Sequence, residues 1–120
     1  MDTSTMDIKL IRFSVLDLVT NYMIDLLEKR HIRTATFDDI FEFGELLAKV
    51  ARLERCEVKF DSMPIDFRVF REETKDIFKL RGNEIICKSE VGSKVLRERF
   101  RVKVTPDFLK VFNKVSEMLI

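Results

Sequence analysis

Between residues 94 and 104 the chain reads KVLRERFRVKV, and every second side chain is a cation: Arg97, Arg99, Arg101 and Lys103. The intervening positions, Leu96, Glu98, Phe100, Val102 and Val104, are largely apolar. In an extended strand successive side chains point to opposite faces, so this spacing would build one cationic face opposite an apolar one. A row of guanidinium and ammonium groups can neutralise phosphates, and aromatic rings among them can stack on bases. The stripe therefore points to a polyanionic partner, a nucleic acid before any other.

Little else in the chain has the spacing that chemistry needs. Cys56 and Cys87 are far apart, with no second thiol or histidine near either, so they read as buried thiols and not as zinc ligands or a disulfide. His31 is the single histidine and follows Lys29 and Arg30, which suits a helix C-terminus. The carboxylate pairs Asp38-Asp39 and Glu72-Glu73 fit a helix's first turn and a loop. There is no glycine-rich phosphate loop, no nucleophile in a recognisable setting and no ligand cluster. The expectation is a non-enzymatic binding module with no catalytic, metal or cofactor site and no small-molecule substrate.

The elements that must position the stripe follow from periodicity. Ser14 with Asp17, and Thr36 with Asp39, are helix starts, each followed by a long run of apolar positions at helical spacing. These predict helices over 14–31 and 36–55. The stretch IKLIRF ahead of the first is ambiguous between a strand and an early helical turn. From Cys56 the period shortens to two, with CEVKF, DFRVFR, DIFKLR and NEIICKSEV separated by turn residues. Gly82-Asn83 and Gly92-Ser93 suit two-residue hairpin loops. Together these predict an antiparallel meander of four or five strands over 56–104. Pro106 then opens a closing helix over 106–119, with Phe108, Val111, Phe112, Val115 and Leu119 on one side. The expected fold class is α+β in a single domain, residues 1–120, with the helices covering one face of the sheet.

Hairpin register turns that reading into a site. With both two-residue loops in place, Ile85 faces Leu80 on one side and Phe100 on the other. The opposite face of the sheet then collects Arg68, Phe70, Lys79, Arg81, Lys88, Arg97, Arg99, Arg101 and Lys103, with Ile77 and Ile86 among them. This is the candidate nucleic-acid face, for RNA or DNA. A solvated sheet surface, or a protein-assembly interface with the arginines as its rim, accounts for the same residues. A helix-turn-helix broken at Gly44, with helices 37–43 and 45–55 and a wing from 84–104, is a further arrangement.

Composition sets the outer limits. With 120 residues, 46% of them hydrophobic, the chain can bury a substantial core, and its formal net charge of only +1 argues against capture of nucleic acid by bulk charge. No run is long and apolar enough to span a bilayer, and the polar, acidic start does not suit a secretion signal, so a cytoplasmic location is expected. The absence of glutamine and the abundance of Lys, Arg and Glu are thermophile-like. Apolar positions around much of the first helix suggest a homodimer closed over that helix or over Phe70 and Ile77.

Overall fold

The computed structural model describes residues 9–61, 67–100 and 106–118. Within them the fold is α+β, with α-helices packed around two small sheets, one parallel and one antiparallel. Strand β1 (Lys9–Ser14) runs into helix α1 (Val15–Asp25), which continues through one π turn, Leu26–Arg30. The Ser14 hydroxyl accepts from the Asp17 N–H at 3.0 Å, and the Asp17 carboxylate accepts from the Ser14 N–H at 3.1 Å. This reciprocal cap satisfies two orphan donors and stabilises the helix start by about 1 kcal/mol. The π turn ends at His31, whose φ of 56° is left-handed, and that reversal sends the chain into β2 (Thr34–Thr36).

Thr36 ends the strand and caps α2 (Phe37–Leu53), its hydroxyl accepting from the Asp39 N–H. Strand β3 (Cys56–Asp61) follows and pairs in parallel with β1, Ile11 opposite Val58. Helix α3 (Phe67–Thr74) leads into the hairpin of β4 (Phe78–Arg81) and β5 (Glu84–Cys87). Helices α4 (Ser93–Phe100) and α5 (Pro106–Met118) complete the described chain.

The core fills the space between α1, α2 and α5 and extends beneath the hairpin. Phe43 lies between Tyr22, 5.0 Å away, and Phe112, 5.6 Å away and edge-on, while Val19, Met23, Leu47, Val111 and Val115 close around them. Gly44 is buried in the middle of α2, which passes through it without interruption. The helix-turn-helix broken at that glycine is thereby excluded.

The meander is only partly present. The Gly82-Asn83 hairpin has the expected register, Leu80 opposite Ile85 and Phe78 opposite Cys87, and Gly82 adopts a φ of 60°. The Gly92-Ser93 hairpin does not form. Residues 93–100 are helical, beginning where the Leu96 N–H meets the Gly92 carbonyl at 3.2 Å, and the edge of β5 expected for them is taken by β2, which sets Ala35 opposite Ile85. DFRVFR likewise contributes to a helix, and CEVKF pairs with β1 in a separate parallel sheet. The leading helices are correspondingly interleaved with strands. The reason is that a short segment can fit either period: Phe67, Arg68 and Val69 alternate as in a strand, yet FRVFREET also sets Phe70 and Thr74 four apart on one helical side, and both are buried.

Candidate nucleic-acid interface

The described part of the cationic stripe, residues 94–100, is helical and builds no strand face. Arg97 and Arg99 project from α4, and residues 101–105, with Arg101 and Lys103, lie outside the described residues. Arg97 pairs with Glu28 in the π turn, and Arg99 grips Asp76 with both terminal nitrogens, Nη2 to Oδ1 at 3.2 Å. The hydrogen bond from Arg99 holds the Asp76 carboxyl below its usual range. These arginines tie α4 to α1's continuation and to the turn between α3 and β4. Leu96, fully buried, anchors the same helix, which packs against α1.

Phe70 also leaves the proposed face. It lies in the core, its ring parallel to that of Phe78 at 6.5 Å and edge-on to Phe37 at 6.2 Å. Ile77 is buried too, and Ile86 is half-buried on the outer side of β5. Alternation along DFRVFR suggested the reverse orientation for Phe70; the helical twist carries it inward and leaves Arg68 out.

What remains of the candidate set gathers around α3 and the hairpin. Arg68 and Arg71, three apart, are exposed on α3, and Lys75 follows the last turn, held to Glu72 at 2.7 Å. Lys79 and Arg81 alternate outward along β4, next to Ile86 and Glu84 of β5, and Arg81 reaches the Glu84 carboxylate at 3.4 Å. Lys88 is half-buried just past β5, where its N–H donates to the Ile77 carbonyl at 3.0 Å. Arg71 and Lys75 escape the sequence reading because they matter only once 67–74 is helical.

Two connections hold the hairpin in place. At its tip the Asn83 carbonyl accepts from the Phe37 N–H at 3.0 Å, and the Asn83 amide donates to Asp38 at 3.1 Å, locking the loop onto the start of α2. At its base Arg33 Nη1 donates to the carbonyls of Lys88 and Val91, both at 2.8 Å. The sheet therefore has the order β2–β5–β4, with α3 packed against β4 immediately ahead of the hairpin. Its surface mixes cations with Glu72, Glu84 and Asp38, so any pull on an anion is local and steeply screened by salt.

Elsewhere, Ser116 is buried where it donates to Asp25 and accepts from Lys29, which also pairs with Asp25 at 3.1 Å. A cavity of about 130 Å³ beside this group is lined by residues of α1, the π turn, α4 and α5. Among the described residues no set of three metal-ligating side chains converges, and no helix is long and apolar enough to cross a membrane. No protein family, no curated protein and no solved structure matches the chain, which leaves its own geometry as the ground for a functional reading.

Proposed function

We propose that this chain is a nucleic-acid binding module that presents α3 and the β4–β5 hairpin to a duplex. The supporting observation is the placement of a short helix directly ahead of a two-residue-loop hairpin in a sheet ordered β2–β5–β4. A helix of that size fits the major groove, and a hairpin beside it can reach along the adjoining backbone. Arg68, Arg71 and Lys75 supply phosphate or base contacts from the helix, and Lys79 and Arg81 supply them from the hairpin. No catalytic role is assigned to any residue.

A labelled DNA duplex and a matched RNA duplex, titrated by fluorescence anisotropy, test this reading. Affinity should fall steeply with salt, and replacing Arg68 and Arg71 together by alanine should flatten the log–log salt slope by about one unit per lost phosphate contact. Replacing Arg97 should leave that slope unchanged, because it projects from α4 toward the π turn and not from α3 or the hairpin. No binding of either duplex at low salt would refute the proposal.

A protein-assembly role is the second reading, and its support is local. Leu53 is 82% exposed and Met118 61% exposed, together at the ends of α2 and α5 around a shallow apolar hollow. Such a patch suits a protein contact and has no use on a phosphate backbone.

A further inference from the structure

The parallel pair β1–β3 is the least self-sufficient part of the fold. Among the described residues it has two strands, and none pairs with the outer edge of either. Parallel sheets are ordinarily larger and buried on both faces, and a free edge presents a row of unpaired N–H and C=O groups that recruits another strand.

We propose that the free edge of β3 is a homodimer interface, in which two copies pair antiparallel across a two-fold axis through Val58. In a two-fold strand pair, residues equally spaced on either side of the axis face each other. With the axis at Val58, Glu57 faces the partner's Lys59 and Lys59 faces the partner's Glu57. Val58 meets its own copy on the half-buried side of the sheet. The result is a continuous sheet of order β1–β3–β3–β1, with opposite charges in register at both ends of the seam.

The charges along β3 favour this edge. The β1–β3 register sets Lys59 beside Arg12 and Glu57 beside Leu10. Glu57 and Lys59 are exposed, and neither has an ion-pair partner among the described residues. Across the proposed seam the partner's Glu57 supplies Lys59 with a facing carboxylate. The β1 edge offers no such match. Its charged residues are Lys9 and Arg12, both cationic, so a two-fold register there sets each against its own copy or against uncharged residues.

Sedimentation equilibrium of the full chain, from micromolar to hundreds of micromolar and without nucleic acid, tests the interface. The wild type should show a concentration-dependent monomer–dimer equilibrium. Glu57→Lys alone, or Lys59→Glu alone, brings like charges together at both ends of the seam and should weaken the dimer roughly tenfold or more. The double exchange Glu57→Lys with Lys59→Glu restores opposition and should recover most of the wild-type affinity. Because both side chains are exposed, thermal unfolding of the single variants at dilution controls for folding and should change little. A wild type that stays monomeric throughout overturns the proposal, as does a dimer insensitive to the single exchanges. Open-ended polymers would overturn it too, since they indicate the β1 edge of one copy meeting the β3 edge of the next. Binding of duplexes by Arg68 and Arg71 is read separately, so either result can fail alone.

Discussion

Replacing Phe70 by alanine separates a core residue from a surface one. Phe70 is 6% exposed, sits between Phe37 and Phe78, and with Thr74 holds the described inner side of α3 to the sheet. Truncating a fully packed phenylalanine costs about 3–5 kcal/mol, the removed transfer energy plus the cavity left behind. At about 2.1 cal/mol/K of unfolding entropy per residue, a chain of 120 residues has roughly 0.25 kcal/mol/K, so the melting temperature should fall by about 12–20 °C. Urea unfolding followed by far-UV circular dichroism gives the free energy, and calorimetry gives the temperature. A double-mutant cycle with Phe78→Ala should add a coupling of about 0.5–1.5 kcal/mol, the usual range for paired aromatic rings. A loss below about 1 kcal/mol, with no coupling to Phe78, would show Phe70 on the surface and refute the inward orientation of α3.

Three further outcomes follow from named contacts. Arg33→Ala removes a charged donor from the carbonyls of Lys88 and Val91, so it should destabilise by about 1.5–3 kcal/mol in urea unfolding, and Arg33→Lys should not fully recover the loss. Asp76 has a depressed pKa in the fold, so the stability it contributes with Arg99 is present above the unfolded value of about 3.9 and is lost as pH falls through the lower folded value; Arg99→Ala should shrink that acid-dependent loss of urea midpoint. Burial raises the Cys87 pKa, so its contribution is present below the unfolded value of about 8.5 and is lost as pH rises above it. The urea midpoint should therefore drop as pH rises above about 8.5, less so in Cys87→Val, and a thiol reagent should modify Cys87 slowly in the native state.

Local signals settled the parts of this protein whose causes are local. Ser14 with Asp17 and Thr36 with Asp39 mark helix starts because capping involves residues three apart, and both caps are in place. Gly82-Asn83 marks a hairpin because the first loop residue needs a positive φ, which Gly82 has, and the register of β4 on β5 follows from the loop. The apolar spacing of α2 marks it as helical, but only the folded chain shows that the helix continues through Gly44 and does not break there. Where a segment is eight residues long and fits two periods, partners decide. Residues 67–74 became a helix because Phe70 reaches the core between Phe37 and Phe78 only in that form, and residues 93–100 because β2 already occupies the edge of β5 while Leu96 buries against α1. The candidate site moved for the same reason: Arg97 and Arg99 looked like one face of a strand, but Glu28 and Asp76 are 69 and 23 residues away in sequence, and only the folded chain brings those carboxylates within reach. Parallel pairing of β1 with β3 is likewise a contact between distant segments whose apolar residues are compatible with several neighbours, so only the packing of α1 and α2 between them selected it.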